Sequence, residues 1–283
     1  NSPGLLTAAI ALVAVGMLFK VGAVPFHQWV PDVYMGSPTP VTSFMAGAVK
    51  VAAFGGLLRV FYVAFGALVW DWRPLIWAVA GLTMVVGSVI ALAQSDFKRM
   101  LAYSSISNGG FILVGFSATN RPAIAAVLIY LITYAFATVG AFALLTLIRE
   151  QAGESSTLIR WKGLGKKSPL VASLMSLFML SFAGIPLTSG FTAKFGVFTA
   201  AISGGATALV LVGVLASVIA AVFYVRVIIL MFFSEPIPDG PFVLVPSVFT
   251  TIAITASALV TIILGLFPQV IIDLISSASV FLR

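Results

Sequence analysis

Eight long apolar runs, separated by short polar or turn-rich stretches, decide most of what this chain can become. They cover residues 4–29 (interrupted at Pro25), 41–66, 75–94, 100–118, 123–148, 169–202, 206–233 and 243–266. A helix needs about 20 such residues to cross the hydrocarbon of a bilayer. Charged residues make up only 8% of the 283, far below the usual share in soluble domains. No soluble fold of this size has interior enough for 61% hydrophobic residues. The alternating pattern of an outer-membrane barrel is absent. The expectation is an all-α integral membrane protein with about eight transmembrane helices.

The stretches between runs set the topology. Pro31–Pro40 is rich in turn residues, and Asp71-Trp72-Arg73-Pro74 reads as a short loop. Ser95 or Asp96 can cap the next helix. Pro122, after Asn120 and Arg121, suits a helix start. Residues 149–168 form the long polar segment, Gly204-Gly205 turns the chain, and 235–241 is a Pro-rich loop. Residues 268–283 read as a short amphipathic tail. Lys98, Arg99, Arg149, Arg160, Lys162, Lys166 and Lys167 fall on one side of the membrane. Arg73, Arg121 and Arg283 fall on the other. The richer side is cytoplasmic by the positive-inside rule, so residue 1 and the C-terminus are expected outside. The chain opens Asn-Ser-Pro, without Met or the features of a signal peptide, and reads as the start of a fragment.

Composition also excludes chemistries. With no cysteine, thiolate zinc sites, iron–sulfur clusters and disulfides are ruled out. One histidine, His27, cannot supply paired haem ligands. The net charge of +7 is the ordinary basic excess of cytoplasmic loops, and no nucleic-acid partner is expected. Gly163-Leu-Gly-Lys-Lys-Ser168 lacks the spacing of a phosphate loop.

Five basic residues lie inside apolar runs: Lys20, Lys50, Arg59, Lys194 and Arg226. A charge at the bilayer centre costs at least ~2.5–3.5 kcal/mol. Arg59 and Arg226 lie toward span ends, where snorkelling accounts for them. Lys50 is deep in its span. Lys20 precedes Pro25 and Lys194 follows Pro186, each beside glycines that allow the helix to break. Broken helices are tolerated where they line a polar cavity and mark ion pathways. The first and sixth runs, five spans apart, are opposite in orientation, which suggests an inverted repeat. His27 reads either as an interfacial histidine bonded to a carbonyl or as a proton relay. Most serines and threonines within the runs read as packing or back-bonding residues.

Three segments carry a family resemblance: Val24-Pro-Phe-His-Gln-Trp-Val-Pro-Asp-Val-Tyr-Met-Gly-Ser-Pro-Thr-Pro-Val41, Gln94 to Ser107, and Leu180 to Phe195. In this order they resemble subunit N of respiratory complex I, one of the antiporter-like membrane subunits. The resemblance implies fourteen spans in an inverted-repeat fold, of which this chain holds the seventh to the fourteenth. Residues 1–66 would close the first repeat, 67–233 form the second with its broken helix 169–202, and 234–283 add a terminal helix and the amphipathic tail. Lys20, Lys50 and Lys194 match the family's proton-carrying lysines, with His27 beside them. The implied role is proton translocation within NADH:quinone oxidoreductase of a bacterial plasma membrane, among other membrane subunits. NAD, FMN, iron–sulfur clusters and quinone would belong to other subunits, and no cofactor to this one. A multi-subunit cation/proton antiporter and a ferredoxin-linked photosynthetic complex share the pattern. Two departures stand out. The family's glutamate on the fifth helix has no counterpart here, and Asn108 stands where the family often has histidine.

Overall fold

The computed structural model describes residues 3–151 and 153–278; the two chain ends, 1 and 283, lie outside the described residues. The first run forms α1, Pro3–Val21, which stops as Gly22 adopts φ +75°. That left-handed geometry is open to glycine, and a Cβ there would meet Val30 Cγ2 at 2.7 Å. The chain resumes as α2, Trp29–Gly36. The turn expected over Pro31–Pro40 is therefore mostly helix. Pro31 falls in its first turn, where no intrahelical N–H bond is lost. A continuous rod over Thr39–Ala64 follows. It is built of α3 (Thr39–Phe44), a wide π turn at Met45–Val49, α4 (Lys50–Arg59) and a second π turn at Val60–Ala64.

α5 spans Val69–Leu92 and absorbs the loop expected at Asp71–Pro74. Tertiary contacts override the proline penalty there. Trp72 is fully buried against Phe61 and Phe116, at 5.3 and 5.5 Å between ring centroids. Arg73 Nε donates to Ser117 O at 3.0 Å and Nη2 to Gly204 O at 2.5 Å. α6, Phe97–Phe116, begins at the expected cap: Asp96 accepts from Arg99 N at 2.8 Å. Asn120 caps α7, Arg121–Leu147, in the same way.

The polar segment contains strands that the sequence reading did not expect. β1 (Ile148–Glu150), β2 (Gly153–Glu154) and β3 (Phe242–Val243) form an antiparallel sheet in the order β2-β1-β3. Strands of two or three residues are too short to show an alternating pattern. After the short α8 (Leu164–Lys167), the sixth run is broken as expected into α9 (Pro169–Ala183) and α10 (Ser189–Ser203). Gly184, at φ +80°, makes the break. α11 (Thr207–Phe233), α12 (Val248–Leu266) and the tail helix α13 (Gln269–Ala278) complete the described chain.

Among the described residues, six helices are long and apolar enough to cross a membrane. α6 is as long but more polar, and forms the centre: every residue from Ser104 to Phe116 is buried. α2, α5, α7, α10 and α11 pack around it. Loops gather at two ends. At one, Arg99 meets Asp32 (3.6 Å), Arg160 meets Glu150 (2.7 Å) and Lys166 meets Glu235 (2.8 Å). At the other, Arg73 ties Ser117 to Gly204, and Asn120 Nδ2 donates to Ala200 O at 3.0 Å. This is the alternation of loops that the basic residues predict.

Candidate functional site

Lys50 begins α4 just past the first wide turn, and its side chain points inward toward α6. It is buried, and its ammonium donates to Ser105 twice: to the carbonyl and, at 2.6 Å, to Oγ. Gly109, one turn on, lies beside the pair; a Cβ there would make ordinary contact with Lys50 Nζ at 3.6 Å. Tyr34 of α2 shares the same hydroxyl at 3.4 Å, and the Tyr134 ring lies 5.4 Å from the ammonium.

Lys194 is seated by the second break. Gly184 ends α9 and turns its last carbonyls free of the helical ladder. Lys194, on α10, donates to Phe182 O at 3.0 Å and Ala183 O at 3.1 Å. The ammonium also stands 4.5 Å from the centre of the Phe111 ring, a favourable cation–π placement. No carboxylate pairs with Lys50 or Lys194 among the described residues. Both ammonium groups are met by neutral oxygens.

A cluster of polar side chains on α6, α7 and α11 lies near both lysines. One turn along α6 from Ser104, Asn108 donates to Ser104 O at 2.9 Å and to Tyr224 OH at 3.2 Å, and accepts from Tyr130 OH at 2.8 Å. Ser104 Oγ and Tyr224 OH bond each other at 2.5 Å. Between this cluster and the α9–α10 seam lies a cavity of about 10 Å³, lined by Asn108, Tyr130, Tyr134, Ser181 and Gly190 among others. That is room for one water, with polar partners on both sides. Lys20 is different. It is exposed at the end of α1, on the rim of a pocket of about 90 Å³ whose inner wall includes Tyr34 and Lys50.

His27 is not brought into this cluster. It is half-buried in the first break, edge-on to Tyr103 at 6.5 Å, and does not line the Lys20–Lys50 pocket. Arg226 reaches the carbonyls of Leu92 and Gln94 at the loop-rich end, and Arg59 is exposed. Both fit snorkelling. Among the described residues, no cluster of His, Asp or Glu could hold a metal ion.

Reading spans as packing surfaces missed Ser104, Ser105, Tyr130, Tyr134 and Tyr224. Packing or back-bonding is the expectation for most serines within the runs, yet the Ser104 and Ser105 hydroxyls meet Tyr224 and Lys50. A signal existed: Ser104, Ser105, Ser107 and Asn108 crowd four polar side chains into five residues mid-span. Such density exceeds what helix packing needs.

Known proteins share both the sequence and the fold. Residues 1–220 match the family described as NADH:quinone oxidoreductase/Mrp antiporter, transmembrane. The NADH-quinone oxidoreductase subunit N of Rhodococcus opacus is 59% identical over 273 residues, 96% of this chain and 51% of that protein. A subunit N of Streptomyces griseus is 59% identical over 283 residues, 100% of this chain and 51% of that protein. The chain spans about half the length of the curated relatives it matches. A chain of respiratory complex I from Thermus thermophilus superposes with a TM-score of 0.84 at 35% identity, covering 96% of this chain and 60% of that one. A chain of the Mrp complex from Dietzia superposes at 0.86 with 24% identity, covering 97% and 59%, a likeness of fold. The resemblance to subunit N read from the sequence is borne out.

Proposed function

Because the chain belongs to the NADH:quinone oxidoreductase/Mrp antiporter membrane family, we propose that it carries the second half of a proton path through an antiporter-like subunit of NADH:quinone oxidoreductase. One observation carries the reading: two buried lysines, each at a break or wide turn, face neutral oxygens, with a polar cluster of Asn108 and Tyr130 nearby. Lysine can release and regain a proton, which arginine cannot. Hydroxyl, phenol and amide groups at hydrogen-bond distance can orient a proton or a water between them. Charge on one lysine raises the electrostatic cost of charge on the next, since low dielectric lengthens the reach of each. A charge change at one end can thus move a proton at the other.

In this reading α6 and the α9–α10 pair join the six apolar helices as eight crossings. Residues 1–66 close a first repeat, 67–233 form the second, and 234–283 add the terminal helix and tail. The end holding β1–β3 faces the cytoplasm of a bacterial plasma membrane, and both chain termini face outward. Electrons pass through NAD, FMN, iron–sulfur clusters and quinone in other subunits, and the partners are the neighbouring membrane subunits. Lys20, on the open rim, is the entry from the first half of the subunit, and His27 is a surface relay rather than a member of the cluster.

The test is acidification of inverted membrane vesicles driven by NADH, with Lys50→Met or Lys194→Met in the full-length subunit, normalised to assembled complex. Each is expected to assemble and to lose most pumping. Wild-type pumping by either would remove that lysine from the path. Cation-dependent proton exchange that persists in membranes lacking the NADH-oxidising subunits would favour a stand-alone cation/proton antiporter.

A further inference from the structure

We propose that Glu154, in the polar segment outside the membrane, is a positioning residue for Lys50, holding the Lys50 rod in register with α6. The strap 153–157, which leads into a 3-10 turn at Leu158–Trp161, is extended, so alternate residues share a face. Glu154 and Ser156 lie two apart, and each meets the start of a different helix. The Glu154 carboxylate accepts from Thr39 Oγ1, in the first turn of α3. Ser156 Oγ donates to Asp96, the cap of α6. Backbone bonds fasten the strap to α6 on both sides: Phe97 N to Ser156 O at 2.6 Å, and Leu158 N to Ser95 O at 2.8 Å. Lys98 Nζ adds a bond to Ser37 O, just before α3, at 2.7 Å.

The two helix starts so joined are the ends of the elements that carry the Lys50–Ser105 pair. Lys50 lies eleven residues beyond Thr39, and Ser105 nine beyond Asp96, so both sit roughly 14–17 Å into the bundle at 1.5 Å per residue. The rod has a wide π turn at Met45–Val49, between the strap and Lys50. A π turn is a rare irregularity within a helix that shifts the register of the residues beyond it. Holding the N-terminal end of the rod therefore fixes the register at which that turn leads into α4, and with it where Lys50 points. Thr39 is buried, so its hydroxyl has no water to replace Glu154. The negative charge also suits a helix N-terminus, and Arg149, 3.6 Å away, steadies the carboxylate from the other side.

The inference rests on the proton-path reading, and both are tested in the same vesicles with the full-length subunit in its complex. Glu154→Ala removes the acceptor; Glu154→Gln keeps an oxygen for Thr39. Acidification per assembled complex should fall about tenfold in Glu154→Ala, the rate equivalent of one charge-assisted hydrogen bond, and recover to at least about half in Glu154→Gln. Should Glu154→Ala fail to assemble, Thr39→Val and Thr39→Ser form the parallel pair, with loss expected in the first and recovery in the second. Wild-type acidification in Glu154→Ala or Thr39→Val would overturn the inference. So would Glu154→Gln falling as far as Glu154→Ala, since that would require a titrating acid. Lys50→Met serves as the separate arm: its pumping like wild type sinks the proton-path reading itself, whereas its failing while Glu154→Ala pumps sinks only the role of Glu154.

Discussion

Gly190 is the residue whose replacement connects the broken helix to proton transfer most directly. A Cβ at this position would lie 1.7 Å from Ser181 O. Ordinary carbon–oxygen contact begins at about 3.3 Å, so Gly190→Ala must open the α9–α10 seam by roughly 1.6 Å. The displacement falls where it matters. Lys194 is one turn beyond Gly190 on α10, and its acceptors, Phe182 O and Ala183 O, follow Ser181 on α9. Bonds of 3.0 and 3.1 Å would stretch toward about 4.6 Å, past hydrogen-bonding range. Two bonds from a charged donor are worth about 1.5–3 kcal/mol each. The intact seam should then be disfavoured by ~3 kcal/mol or more, about a hundredfold in population. Gly196→Ala on the same helix is the control, since its Cβ would meet Ala126 Cβ at an ordinary 3.6 Å. The assay is NADH-driven acidification of inverted vesicles alongside the amount of assembled complex. Gly196→Ala should match wild type in both. Gly190→Ala should lose pumping, assembly or both. A Gly190→Ala complex that assembles and acidifies at the wild-type rate would refute the argument that this seam seats Lys194.

Other outcomes follow from the two ends of the bundle. Single cysteines at the exposed positions Thr157 and Arg121 should react oppositely with an impermeant reagent on intact cells, Arg121→Cys labelling and Thr157→Cys remaining protected until the membrane is opened; the reverse pattern would invert the topology. Arg73→Met strands the carbonyls of Ser117 and Gly204 and should destabilise the assembled subunit by about 2 kcal/mol or more, read as a lower thermal midpoint in detergent; an unchanged midpoint would show those carbonyls find other partners. Hydrogen bonds from Ser155 and Arg160 hold the Glu150 carboxyl below its ordinary range. A depressed value means the contact stabilises the sheet at neutral pH and is lost as pH falls through the folded-state value. Amide protection at Ser155 and Arg160 should therefore be flat from pH 8 to 6 and drop in acid, and Glu150→Gln should weaken that dependence, the Glu154 and Asp96 contacts supplying the remainder.

Membrane class, the order of spans and the two broken helices were legible in the amino-acid order, because each is a local matter. Twenty apolar residues in a row have few places to go but lipid or a buried bundle, and Gly22, Gly184, Pro25 and Pro186 mark their own breaks. Lys50 and Lys194 announced themselves by their cost in such surroundings. Asp96 declared its cap by residue type and place, and Pro122 marked the next helix start. What faces those lysines was a matter of long-range contact. Ser105 is 55 residues from Lys50, and Tyr224 is 116 from Asn108, so only packing around α6 could bring them together. The same holds for Trp72 and Arg73, whose distant partners turned an expected loop into helix. Lys20 looked equivalent to the buried lysines in the linear chain, and His27 stayed open between interface and relay, since hydropathy cannot distinguish a side chain that points into the bundle from one that points out. The strap at 153–157 was the least visible feature, because its one strand is too short to show the alternation that reveals strands, and its purpose lies in the two helix starts it joins.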